Sequence, residues 1–308
     1  QQTTFSDSIP LAFRFGVAGS GRGQLVARLF ERPDSAGFTR TQQSTTITLS
    51  MAAPATTIYI ANDAAVCGSL TLPCYVNSAD DGENGIGTGL RDAVEAGAAG
   101  SSINILGSYT IKSNTVVVDK QLTLTGTNDS TLTYTTGGAC SEPMLSLQGN
   151  VVLRNLNIND GGCSSPGRSL VEVNSNQAVT IESNDLVNGD NAIVLQDNSG
   201  PVTVRYNQIT GNTGYAVFAE RNTSGGALEV TANNLNGNRS GGAIDCSASA
   251  SGPVANRKAN HNYWGSAAPG SDTSHCTIAS GKRLGAPIEQ KSGAPGVDAQ
   301  IVNVTTDK

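Results

Sequence analysis

At 308 residues the chain can hold one long domain or two. Aromatic residues make up 5% and charged residues 14%, against 36 glycines, a mixture that excludes a helical bundle and suits tight turns between Thr/Val-rich strands. A net charge of −6 without a Lys/Arg run argues against nucleic acid and anionic membrane surfaces as partners. No signal peptide or membrane span is visible, and a chain that starts Gln1-Gln2 without Met reads as already processed.

Residues 1–55 predict three strands, Leu11–Phe15, Gln24–Phe30 and Thr45–Ser50, separated by Gly, Pro and Ser turns. The Gly19–Gly23 turn lacks the Lys-Ser/Thr and the helix that a phosphate loop requires, so it reads as a hairpin turn. Three strands alone bury too little apolar surface to stand independently. Their apolar side chains (Phe13, Phe15, Val26, Leu29, Ile47, Leu49) are therefore candidate assembly contacts.

Residues 56–286 predict a second region. A strand over Thr57–Ile60 leads to a cysteine-closed loop and an acidic turn, Asp80–Gly85, which lacks the spacing of a helix-loop-helix calcium site. The one good helical pattern lies near 88–98, with Thr88 as N-cap and Leu90 and Val94 on one face. Short apolar strands follow at Ile103–Ile105, Tyr109–Ile111, Val116–Val118 and Leu122–Leu124. A helix there would cover the open end of a stack.

From Val151 to Trp264 one phrase recurs: Val179–Leu186, Val202–Ile209, Leu228–Leu235, a degenerate copy over Val254–Trp264, and a looser one over Val151–Ile158. Asn184, Asn207, Asn233 and Asn262 mark it at spacings of 23, 26 and 29 residues. A second apolar strand separates successive copies. So short a period leaves no room for a crossover helix, and the chain must coil as a parallel β-solenoid. In such a coil Val171, Ile193, Val217 and Ile244 form one inward file. The four asparagines form an amide ladder at a tight bend, where asparagine tolerates the left-handed conformation.

Six cysteines, Cys67, Cys74, Cys140, Cys163, Cys246 and Cys276, read as disulfides formed in an oxidising compartment. Cys67 with Cys74, Cys140 with Cys163 and Cys246 with Cys276 is one of many connectivities. Sequons at Asn128, Asn222, Asn238 and Asn303 allow glycosylation in a host that performs it. After Trp264 the chain reads as irregular, and residues 287–308 end in a strand over Val297–Val304, with Val297, Ile301 and Val304 apolar.

Residues 56 to 264 resemble the secreted bacterial and archaeal proteins of the pectin-lyase-like superfamily, through the Gly-Leu-Arg-Asp-Ala-Val helix, the Asn repeats and the closing Asn262-Tyr-Trp-Gly run. The resemblance implies an all-β, right-handed parallel β-helix with an N-terminal capping helix. It leaves activity open, because that superfamily holds pectate lyases, polygalacturonases, adhesins and passive fibres. Residues 1–55 add a small β-sheet segment to that architecture.

Polysaccharide cleavage on this scaffold needs converging carboxylates. The nearest match, Gly189-Asp190-Asn191, puts an amide where the second carboxylate should be. Arg154, Glu182, Arg205 and Thr231 share an outward column and read as an ion ladder. Glu172, Val194, Phe218 and Asp245 share another, whose two apolar members predict a covered patch.

These readings predict a non-enzymatic extracellular structural protein with no cofactor. Its partners are copies of itself, joined head to tail when Val297–Val304 completes the N-terminal sheet of the next molecule. A lyase or hydrolase of acidic glycans, or a solenoid adhesin, is the alternative.

Overall fold

The computed structural model describes residues 22–29, 43–50, 57–68, 70, 73–78, 85, 87–112, 115–134, 142–161, 169–219, 226–238, 243–245 and 257–264, the first two segments as backbone only. The chain divides into two units, Gln1–Ala55 and Thr56–Lys308. In the first, β1 (Arg22–Leu29) and β2 (Gln43–Ser50) pair antiparallel along their whole lengths, from Arg22↔Ser50 to Leu29↔Gln43. The strand expected over Leu11–Phe15 lies outside the described residues.

The second unit is a parallel β-solenoid, a β-helix. It opens with β3 (Thr57–Ala61), a single turn of helix α1 (Ala64–Cys67), β4 (Cys74–Val76), and α2 (Gly89–Ala96). β5 (Ser101–Ile111), β6 (Val116–Val118) and β7 (Leu122–Tyr134) begin the coil. The sequence pattern suggested two short strands where β5 runs unbroken. The reason is a register shift between Leu106 and Ser108, where Gly107 takes a positive φ of 62° and lets the strand turn the corner without ending.

Each later coil lays a short strand on each of three faces. The first face stacks β7, Val151–Arg154, Val179–Glu182, Val202–Arg205, Leu228–Thr231 and Arg257–Lys258, all parallel. The second stacks the far half of β7, Asn157–Asn159, Asp185–Val187 and Gln208–Thr210, then continues through single bridges at Asn234 and Tyr263. The third stacks β6, Leu145–Leu147, Val171–Val173, Ile193–Leu195, Val217–Phe218 and Ile244–Asp245.

Alternation along each strand sends one set of side chains inward, and parallel register turns that set into files. Val171, Ile193, Val217 and Ile244 form one file, fully buried; Ile158, Leu186 and Ile209 form another. A single coil buries a strip too thin to hold itself, and stacking joins the strips into one core.

α2 closes the leading end. Its apolar face (Leu90, Ala93, Val94) is buried in the core. Thr88 precedes the helix, but its hydroxyl donates back to Gly85 O (2.8 Å) and leaves the helix N-terminus to another group. That group is Tyr109 of β5, whose hydroxyl oxygen accepts from Leu90 N at 2.6 Å and donates to Asn77 Oδ1 at 2.6 Å. At the other end of the helix, Lys120 Nζ donates to the carbonyls of Val94, Glu95 and Gly97 (3.0, 2.6 and 3.2 Å). The first coil therefore holds both poles of α2, each with the polarity the helix dipole favours.

Candidate functional site

The most regular polar arrangement is the bend between the first and second faces. Asn184, Asn207, Asn233 and Asn262 stack there with no solvent exposure. Asn207 Oδ1 accepts from Asn184 N (2.9 Å) and Asn184 Nδ2 (3.1 Å). Its own Nδ2 donates to Ile181 O (2.9 Å) and Asn233 Oδ1 (3.0 Å). Asn233 repeats the pattern against Asn262, and Asn184 Oδ1 ends the row by accepting from Leu156 N at 3.1 Å. Each amide thus satisfies a buried backbone group of the coil beside it, a group that would cost about 1–3 kcal/mol if left bare.

The conformational reason for these asparagines differs from the one the sequence suggested. The left-handed residue is the one before: Asn155, Ser183, Tyr206, Ala232 and His261 have φ of 54–58°. Each asparagine clamps the strained bend of the preceding coil from both sides: Asn184 bonds Leu153 O and Leu156 N around Asn155, and Asn207 bonds Ile181 O and Asn184 N around Ser183.

A second amide row went unread. Gly189 N donates to Asn212 Oδ1 (2.9 Å), and Asn212 N and Nδ2 donate to Asn238 Oδ1 (3.3 and 2.8 Å). A signal for it was present, since Asn212 and Asn238 each follow a member of the first row at the same offset. Asn238 Nδ2 donates to Ile209 O (2.8 Å) and Leu235 O (2.9 Å), so a glycan on that nitrogen would displace one of these bonds. The side chains of Asn128, Asn222 and Asn303 lie outside the described residues.

Asp190 and Asn191 serve a corner. Asp190 Oδ1 accepts from Thr213 Oγ1 (3.0 Å), and Asn191 Oδ1 accepts from Tyr215 N (2.8 Å). Gly214 packs so closely under them that a Cβ there would lie 2.4 Å from Asn191 Oδ1. In the charged column Arg205 donates through Nε (2.8 Å) and Nη2 (2.6 Å) to Glu182 Oε2, while no ion pair joins Arg154 to Glu182. Arg205 also lies over the Tyr206 ring, 5.6 Å from its centroid. In the apolar column Val194 is 7% exposed, and Phe218 stacks on Tyr215 with ring centroids 5.3 Å apart.

Among the described residues, burial displaces the titration of Tyr109 and Arg257. Desolvation pushes the Tyr109 phenol well above its ordinary value, opposed in part by the hydrogen bond from Leu90 N. Arg257 occupies the inward file of Leu122, Val151, Val179, Val202 and Leu228, and burial lowers its pKa.

Cys67 and Cys74 are joined by a disulfide with their Cα atoms 5.8 Å apart. Cys140, Cys163, Cys246 and Cys276 lie outside the described residues, as do the acidic turn at Asp80–Asn84, Phe13, Phe15, Val297, Ile301 and Val304. Val26, Leu29, Ile47 and Leu49 fall on β1 and β2, described by backbone alone. Among the described residues no three His, Cys, Asp or Glu side chains converge as metal ligands, and no helix is long and apolar enough to cross a membrane. The chain matches no protein-family model, no curated protein and no solved structure.

Proposed function

We propose that this is an extracellular structural protein that polymerises through strand complementation. The observation that carries the reading is the β1–β2 ribbon, eight paired positions that form a unit of their own. A two-stranded ribbon is marginal in water and gains independent stability from a third strand and an apolar cover. The segment Val297–Val304, rich in Val and Ile, has the length to supply that strand from a neighbouring copy. A contact of this type does not close on itself and gives a filament.

The solenoid supports the same reading as a rigid spacer. Its amides, and the Asp190, Asn191, Glu182 and Arg205 groups, bond to neighbouring coils. In this view the chain belongs with the secreted right-handed β-helix proteins as a non-catalytic member, with further disulfides among its remaining cysteines.

Electron microscopy and sedimentation of the purified protein test the proposal. Filaments are expected from the full chain, and monomers once residues 1–50 or 296–308 are deleted. Full-length protein that stays monomeric at high concentration would sink it. New reducing ends or unsaturated products from polygalacturonate would favour the glycan-cleaving alternative.

A further inference from the structure

The leading edge of the solenoid is a strand of three residues. β4 pairs with β3 through Tyr59↔Cys74, Ile60↔Tyr75 and Ala61↔Val76, and no described strand lies beyond it. β3 in turn pairs with β5, so β4 is the outermost described strand at this end of the stack. A ladder this short has little cohesion of its own. The residues leading into it, from Asn62 through Gly68, are mostly exposed; α1 buries no side chain, and Val66 is 45% exposed. Asp63 caps α1 by accepting from Ala65 N and Val66 N, and the disulfide ties that turn to the start of β4.

The residue after β4 is Asn77, 2% exposed, which locks the cap. Its Nδ2 donates to Thr110 O (2.7 Å), its Oδ1 accepts from Tyr109 Oη, and its backbone nitrogen donates to Ala61 O (2.9 Å). Helix α2 begins hard against it: a Cβ on Gly89 would lie 3.2 Å from Asn77 N and 3.3 Å from Tyr109 Oη. Whatever holds β4 in place therefore also holds the hydrogen-bond chain from Asn77 through Tyr109 to Leu90.

We infer that the Cys67–Cys74 disulfide is a redox latch on this edge. Both cysteines are partly exposed, so a small dithiol reaches them. One thiolate of the reagent attacks a cysteine sulfur and the Cys67–Cys74 bond breaks. The second reagent thiolate then attacks the reagent sulfur of the mixed disulfide and expels the remaining cysteine thiolate; both cysteines take up protons from water as thiols, and the reagent leaves as a cyclic disulfide. β4 then rests on its short ladder, the packing of Tyr75 and the Asn77 bonds, without a covalent tie. Its release uncovers the outer edge of β3 over Tyr59–Ala61, a parallel edge able to accept an extended strand. The latch is independent of the filament reading, because it involves neither β1 and β2 nor Val297–Val304.

Hydrogen exchange of the folded protein before and after dithiothreitol tests it. Opening a loop of this size weakens closure on the order of 50-fold. Exchange should rise by about that factor at Tyr59 N and Asn77 N, which bond to Pro73 O and Ala61 O, and stay unchanged at Asn207 N in mid-stack. The Cys67→Ser/Cys74→Ser variant should reproduce the change without reductant, which separates this bond from any other cysteine pair. If that variant does not fold, wild-type protein reduced after folding and capped with iodoacetamide carries the test. Unchanged exchange at Tyr59 and Asn77, or an equal rise at Asn207, would overturn the latch.

Discussion

The middle of the solenoid and its leading cap solve one problem in opposite ways. Both must satisfy buried backbone groups where the chain bends or a helix ends. In the middle, one side chain is used again in each coil: Asn184, Asn207, Asn233 and Asn262 hold the same bonds at the same place. At the cap, each group is served once by a residue of a different kind, a tyrosine hydroxyl at one pole of α2 and a lysine ammonium at the other. Repetition gives order that propagates along the stack. Single contacts mark the place where the repeat begins.

This contrast can be broken most forcefully at Asn207. Asn207→Ala removes the acceptor of Asn184 N and Nδ2 and the donor to Ile181 O, all buried. A loss of about 4 kcal/mol is expected in urea unfolding, with exchange rising in the coils on both sides. Tyr109→Phe should cost less, about 2 kcal/mol, with the rise in exchange confined to Leu90 and its neighbours. Equal spreading in the two variants would erase the distinction between region and boundary.

Alkali should strike the cap selectively. The folded Tyr109 phenol holds its proton more tightly than the unfolded chain does, so its contribution is complete below the ordinary tyrosine value of 10.0 and falls as pH rises above it. Circular dichroism and exchange between about pH 9 and pH 12 should show α2 loosening before the mid-stack. Lys120→Met should destabilise by about 1 kcal/mol, by loss of partly exposed bonds to the last carbonyls of α2. Glu182→Gln is the smallest: Arg205 is 44% exposed, and less than about 1 kcal/mol should be lost, falling further in salt.

The same contrast explains what was legible beforehand. Periodicity disclosed the coil, the inward files and the position of the asparagine row, because every coil states them again. The helix could be placed from Leu90 and Val94. Its capping groups could not, since Tyr109 and Lys120 lie 19 residues after Leu90 and 26 after Val94 and occur once. The row of Asn212 and Asn238 was missed because it has only two amides, and its third position is Gly189. Asp190 and Asn191 resembled half of a catalytic pair until Thr213 and Tyr215, one coil away, supplied their partners. Arg257 gives the plainest exception to pattern, a cation in a file of aliphatic residues, and no repeat could have announced it.

The five left-handed bends carry a further consequence. Asparagine, serine, tyrosine, alanine and histidine all occupy that position, so the backbone there accepts varied identities, and the bends at Asn155, Ser183, Tyr206 and Ala232 are each clamped by the asparagine of the following coil. Successive sites recur once per rung, about 4.8 Å apart. The corner is thus a ready-made display rail: chosen side chains can be mounted along it at molecular pitch, Asn155, Ser183 and His261 first, while the interior goes on reading the same instructions.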